Sequence, residues 1–267
     1  MTSKRTELLI IDPQVDFCDP KGALYVPGAE RDMGRLAKMV RRTRDNLDDI
    51  HVTLDSHHWI HIAHPIFWKD SRGNHPPVFT RISRSDVEQG VWTATVPGMY
   101  KRAVDYVRKL EANGRYELTI WPPHCLIGSA GHAVFPCLYA ALQEWEDRFA
   151  FVDYVTKGSN IMTEHYSAVQ ADVPDASDPS THINTHLIRI LENADVVAVA
   201  GEALTHCLAN TVRDIAANFG DDRFVSKIVL LTDATSGIPG FESVSDAFIG
   251  EMKARGLQLS TTGEFLA

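Results

Sequence analysis

The chain has 267 residues, 44% hydrophobic and 23% charged, which matches an ordinary soluble globular protein and excludes disordered and fibrous classes. Its 26 Lys and Arg against 35 Asp and Glu give a net charge of −9, a balance that repels phosphate backbones and anionic lipid. The expected partner is therefore a small molecule, with no nucleic acid and no membrane. Apolar runs such as Val196 to Ala200 fall far short of the roughly 18–20 residues of a membrane helix, and Met1 to Thr6 has no signal-peptide core, so a cytoplasmic location is expected.

In chain order, short β-branched runs alternate with amphipathic stretches, the pattern of an α/β protein with a mostly parallel sheet and helices on both faces. Strands are expected at Glu7 to Ile11, His51 to Leu54, Glu117 to Ile120, Phe149 to Thr156, Val196 to Ala200 and Ile228 to Thr232. Helices are expected at Leu36 to Leu47, Tyr100 to Ala112, Ala133 to Asp147, His182 to Glu192, Thr205 to Phe219 and Ser243 to Arg255. A polar stretch from Ser56 to Pro97 has no sustained period, and a loop of that length is more often functional than idle. No linker separates two cores, so residues 1–267 read as one domain with a long inserted loop at about 56–97.

Four cysteines (Cys18, Cys125, Cys137, Cys207) are too few and too scattered for a disulfide scaffold, and reduced thiols are expected. Histidine is unusual: there are 12, and His57, His58, His61 and His64 fall within eight positions.

In open α/β sheets the ligand sits beyond the carboxyl ends of the strands. The residues that follow the expected strands are Asp12, Gln14, Asp16 and Phe17; Asp55 and His57; Trp121 and His124; Lys157; and Gly201 through Cys207. Cys207, near a helix start, is placed to be a nucleophile whose thiolate the helix dipole favours. A nearby Lys157 would lower its pKa further, and Asp12 could take the thiol proton and return it to a leaving group. Taken singly, each is equally well a buried structural thiol, a turn aspartate or a solvated lysine; their joint placement after the strands favours chemistry. Asp55-x-His57 with His124 offers one carboxylate and two imidazoles, an open three-ligand set for a metal such as zinc.

Asp12-Pro-Gln14-Val-Asp16-Phe17, Asp55-x-His57, Trp121-Pro-Pro-His124-Cys125, Lys157-Gly158 and Gly201-x-Ala203-x-Thr205-His206-Cys207 resemble, in this order, the motifs of the nicotinamidases within the isochorismatase-like cysteine hydrolases. The resemblance spans about residues 7 to 235. It implies a three-layer α/β/α, Rossmann-like fold and an amidohydrolase that converts nicotinamide or a close heteroaromatic carboxamide to the acid and ammonia. It also implies Cys207 as nucleophile, Asp12 as general base and acid, and Lys157 as the cation between them. A cis Glu202–Ala203 peptide and an oxyanion hole from the N–H groups of Ala203 and Cys207 follow from the same motifs. Asp55, His57 and His124 would hold a divalent metal, with Zn²⁺ expected first and Fe²⁺ or Mn²⁺ as alternatives, and Phe17 and Trp121 would pack on the substrate ring. A homo-oligomer is expected.

The sequence departs from the family pattern at three places. Family members often carry a further histidine shortly after the Asp-x-His pair, and His58, His61 and His64 compete for that role. The 56–97 segment is longer than in compact members, and Glu202 stands where an apolar residue is common. Hydrolysis of another small amide, carbamoyl or ureido compound is the alternative reading. A non-catalytic small-molecule binding protein is the reading from a different class.

Overall fold

The computed structural model describes residues 4–114 and 116–267. Six strands form one sheet: β1 (Thr6–Ile11), β2 (Asp49–Asp55), β3 (Asp153–Lys157), β4 (Val196–Gly201), β5 (Ile228–Leu231) and β6 (Gln258–Ser260). They lie in the order β6-β5-β4-β1-β2-β3, and every pairing is parallel. The chain runs outward from β1 through β2 to β3, then returns to the other side of β1 and runs outward again from β4. The strand order therefore reverses between β1 and β4, and that junction is where an open α/β sheet leaves a crevice at its carboxyl edge.

Parallel strands are covered on both faces, so β1 reads as a continuous buried run rather than an alternating one. Its residues nonetheless divide by face: Leu9 and Ile11 join one core, Leu8 and Ile10 the other. The second core is completed by α1 (Ala29–Thr43) and α3 (Pro136–Glu146), through Met33, Leu36, Leu138 and Trp145. The first receives α2 (Tyr100–Asn113), α4 (Thr185–Asn193), α5 (Ala209–Asn218) and α6 (Glu242–Ala254). The result is the expected α/β/α layering.

The sequence reading and the structure differ at several elements. Helix α1 begins seven residues before the expected start, because Ala29 and Met33 extend the apolar stripe through a stretch whose other positions are mostly charged. The expected strand Glu117 to Ile120 is not in the sheet: only Leu118–Thr119 is extended with a partner, in a two-residue antiparallel ladder with Arg81–Ile82. Strand β6, which the sequence did not reveal, takes its place in the count. The strand expected from Phe149 begins at Asp153 instead.

The 56–97 segment lacks a period yet is anchored. Ile62, Phe67, Trp68, Ile82 and Val87 are buried in the first core, and the Trp68 indole donates to the Ile62 carbonyl at 2.6 Å. At roughly 1.5–3 kcal/mol for each fully buried large apolar side chain, these contacts outweigh the cost of ordering an irregular path. A further ladder joins Trp68–Lys69 to Thr93–Ala94 and closes the segment on itself. Among the described residues, no helix is long and apolar enough to cross a membrane.

Candidate active site

Four adjacent strands converge at the switch point. In register, Ile11 stands beside Gly201 and Asp55 beside Lys157, so the residues just past β1, β4, β2 and β3 meet at one edge. The close approach of β1 and β4 depends on Gly201, which has φ +109° and whose missing Cβ would collide with the Ile11 carbonyl. From there Glu202 donates its N–H to Ile11 O at 2.8 Å, the Glu202–Ala203 peptide is cis, and a single π-helical turn, Leu204–Leu208, carries Cys207 into α5.

Asp12, Lys157 and Cys207 are all buried and lie together. Lys157 Nζ is 2.9 Å from Asp12 Oδ2 and 3.7 Å from Cys207 Sγ. Asp12 is held on its other side by Thr53, whose hydroxyl donates to Oδ1 at 2.5 Å and accepts from the Asp12 N–H at 2.9 Å. Burial lowers the affinity of Lys157 for its proton, but Asp12, Asp55 and Cys207 outweigh it and the ammonium is held well above its ordinary range. Burial, and then the charge of Asp55, pushes the Asp12 carboxyl up against the opposing pull of Lys157.

Burial also pushes the Cys207 thiol well above its ordinary range, Lys157 notwithstanding. Lys157 acts in the expected direction, lowering it, but burial outweighs that pull, so ionisation calls for a proton acceptor within reach. His206, next in sequence, is not that acceptor. Its Nδ1 is hydrogen-bonded with the Thr205 hydroxyl at 2.8 Å, its ring stacks on Tyr116, and burial lowers its pKa to about 4.

The second constellation adjoins the first. Asp55 Oδ2 is 3.0 Å from His57 Nε2 and 3.2 Å from His124 Nε2, while Asp55 Oδ1 is 3.2 Å from Lys157 Nζ. Gln14 fixes the backbone beneath it, accepting from Asp55 N–H at 2.7 Å and donating to Asp55 O at 2.8 Å. His124 arrives by a route other than a sheet strand. Its loop bridges to the continuation of β2: His57 N–H donates to Cys125 O at 3.1 Å, Ile127 N–H to His57 O at 3.0 Å, and Asp16 accepts from Cys125 N–H at 2.7 Å.

The potential ligand atoms of Asp55, His57 and His124 lie within 4.8 Å of one another, as do those of His57, His61 and His64. A donor set of one carboxylate and clustered imidazoles, with the buried atoms His57 Nδ1 and His64 Nε2 lacking hydrogen-bond partners, fits a divalent ion. The three competing histidines separate cleanly. His58 is exposed. His61 is buried with both nitrogens engaged, Nε2 at Thr163 O and Nδ1 at Ala63 N–H. His64 is bonded only through Nδ1, to Trp59 O.

A cleft opens over both constellations, bordered by Phe17, Trp121, His124, Glu164, Ala203 and Cys207. Phe17 meets the His124 ring edge-on at 5.3 Å, and Trp121 is fixed by its indole N–H donating to the Tyr166 phenol oxygen at 2.8 Å. Glu164 and Tyr166 were not singled out from the sequence. They lie in an irregular stretch after Lys157, where no period or motif marks them. Glu164 is buried, with Oε1 3.8 Å from His57 Nε2 and Oε2 unpartnered. All four cysteines are free, and Cys137 alone is exposed.

The architecture is a three-layer α/β/α fold, and solved nicotinamidases and pyrazinamidases share it. The nicotinamidase pyrazinamidase of Acinetobacter baumanii is 18% identical with a TM-score of 0.66, covering 99% of this chain and 100% of its own. Yeast nicotinamidase bound to the inhibitor nicotinaldehyde is 22% identical with a TM-score of 0.63, covering 96% and 99%. Pyrococcus horikoshii pyrazinamidase in complex with zinc is 19% identical with a TM-score of 0.56, covering 96% and 99%. No protein-family model matches the sequence, and no curated protein sequence matches it.

Proposed function

We propose that the chain is a cysteine amidohydrolase that converts nicotinamide, or a closely related heteroaromatic carboxamide, to the acid and ammonia. The observation that carries this reading is the buried junction of Asp12, Lys157 and Cys207 beside the Asp55, His57 and His124 set, under one cleft. The solved structures sharing the fold, with nicotinaldehyde bound in one and zinc in another, support it.

In this reading Asp12 takes the Cys207 proton as sulfur attacks the amide carbon. The N–H groups of Ala203 and Cys207 receive the developing oxyanion. Asp12 then returns the proton to nitrogen, ammonia leaves, and a thioester to Cys207 remains. Water, deprotonated by Asp12, attacks the thioester carbon; the carbon–sulfur bond breaks, the acid departs and the thiol is restored. Lys157 keeps Asp12 and Cys207 in register throughout, and Phe17 and Trp121 flank the ring.

Asp55, His57 and His124 would hold the divalent metal, with His64 the histidine free to join them. When bound, the ion orients the substrate and polarises oxygen or nitrogen donors that reach it. The test is ammonia release from nicotinamide by purified protein of known metal content, measured beside Cys207→Ala. Release that disappears in the variant is expected. No release from folded, metal-loaded protein overturns nicotinamide as substrate and moves the search to other small amides and ureido compounds.

A further inference from the structure

Glu202 is a carboxyl group in a place with no solvent. It ends the turn out of β4, is fully buried, and immediately precedes Ala203. Its Oε2 accepts from the Ser236 N–H at 3.0 Å, whereas Oε1 has no N–H or hydroxyl donor. The carboxyl faces that of Asp32 on α1, and Ser236 bridges the two through its N–H and its hydroxyl. Asp32 already receives the Ser236 hydroxyl on Oδ2 at 2.5 Å and the Arg35 guanidinium on Oδ1. Two carboxyl groups in contact repel when both are ionised and bond when one carries a proton. Asp32 faces the arginine, so the proton belongs on Glu202. Burial and the Asp32 charge push the Glu202 carboxyl well above its usual range, in the same direction.

Ser236 links this pair to the Cys207 turn. Its N–H goes to Glu202, its hydroxyl to Asp32, and its carbonyl accepts from Leu204 N–H at 2.9 Å. Glu202 and Leu204 flank Ala203, so one serine grips the chain on both sides of it. The same strap continues at both ends: Gly201 N–H donates to Ala234 O at 2.9 Å, and Ile238 N–H to the Thr205 hydroxyl at 3.3 Å.

We propose that a proton shared by Glu202 and Asp32 latches the 234–238 strap onto the turn, making Glu202 a positioning residue for the backbone N–H groups of Ala203 and Cys207. This rests on the proposed role of those groups as the oxyanion hole. The groups facing the pair are Glu30, Asp32 and Arg35 from α1, Cys18 from the short helix Val15–Cys18, and the Ile11 carbonyl from β1. Asp233 faces Arg35 from the strap side. Arg35 is engaged by Asp32, and the largely exposed Arg31 by Glu30, so losing the proton leaves adjacent carboxylates without an unengaged positive charge, and the latch opens as pH rises.

The test compares wild type, Glu202→Leu and Glu202→Gln, with nicotinamide as the kinetic probe. Glu202→Leu is expected to lose kcat on the order of tenfold to a hundredfold, the scale of a misplaced catalytic group, with KM little changed. Glu202→Gln, whose amide can donate to Asp32 without titrating, is expected to restore most of that loss and to lack the alkaline fall of kcat expected in wild type. Amide hydrogen exchange at Ser236 and Leu204 is expected to speed up in Glu202→Leu and not in Glu202→Gln, while β1 and β4 stay protected. An infrared band of a protonated carboxyl is expected at neutral pH in wild type and not in Glu202→Gln.

Wild-type kcat, pH profile and exchange in Glu202→Leu would overturn the latch. Absence of the protonated carboxyl band would overturn its shared proton. If Glu202→Leu does not fold, loss of the alkaline limb in Glu202→Gln supports the proposal and its persistence sinks it. If wild type does not turn over nicotinamide, the proposed function fails, and exchange and infrared readouts, which need no substrate, still decide the latch.

Discussion

Lys157 Nζ lies 2.9 Å from Asp12 Oδ2, and the same ammonium is 3.2 Å from Asp55 Oδ1, so a single buried cation joins the proposed catalytic carboxylate to the proposed metal carboxylate. Removing it leaves two buried carboxylates without their shared cation. Lys157→Ala is therefore expected to cost roughly 3–5 kcal/mol of stability, as for one lost partner of a buried ion pair. It should also abolish turnover and raise the carboxyl pKa of Asp12 further. Chemical denaturation and nicotinamide assays on the same preparation check both; a variant as stable and active as wild type would refute the junction.

Cys207→Ala and Asp12→Asn separate nucleophile from proton carrier. Both are expected to fold and to lose activity on the order of 10³-fold or more, since residues acting as one unit fail together. Their double variant should be no worse than either single one. Steady-state rates of the three proteins measure this, and a double variant with multiplied losses would show that the two act independently.

The histidines near the proposed metal set differ in what their nitrogens already do. His64 has a free Nε2, His61 has none, and His58 is exposed. His64→Ala should lower metal affinity by about 10- to 100-fold, while His58→Ala should leave it unchanged. Competition with a chromophoric chelator gives the affinities. Equal metal binding in His64→Ala and wild type would remove His64 from the site.

Stability should depend on pH through His51, remote from the cleft. It is buried between Glu7 Oε2 at 3.1 Å and Asp153 Oδ2 at 2.9 Å. Burial alone would lower its pKa, but the two carboxylates outweigh it and the folded value is raised. A raised folded value means His51 binds its proton more tightly when folded, so its stabilisation is full below the unfolded value of about 6.5 and is lost as pH climbs through the folded value. The stability difference between wild type and His51→Gln is therefore expected to shrink from pH 6 to alkaline pH. Urea midpoints across that range test it, and a difference that grows with pH would reverse the sign.

Two glycines make the site's close approaches, with different consequences. Gly201→Ala drives a methyl into the Ile11 carbonyl at φ +109°, and a loss of about 1–3 kcal/mol or more is expected. Gly158 has φ +85°, and a Cβ there would stand 2.8 Å from Asp55 Oδ1 and 3.2 Å from His57 Cε1. Gly158→Ala should therefore reduce metal content as well as stability. Thermal unfolding and metal analysis distinguish the two; full metal loading in Gly158→Ala would contradict the placement of Asp55.

The sequence by itself determined the elements whose pattern is local: the apolar runs of β1, β4 and β5, the helical periods of α2 and α6, and the short motifs that end strands. Those motifs carry Asp12, Asp55, Lys157 and Cys207 because a parallel sheet aligns its carboxyl ends at one edge, so order along the chain already implies proximity. It misjudged Glu117 to Ile120, where buried Leu118 and Ile120 alternate with partly exposed neighbours just as in a sheet strand. It overlooked β6, whose Gln258 and Leu259 are exposed and leave no apolar signal. Only the tertiary structure decided which histidine beside His57 has a free nitrogen, brought Glu164 to the cleft wall, and set Glu202 against Asp32, 170 positions away in sequence. Such pairings depend on how the crossovers pack, and no local periodicity records them.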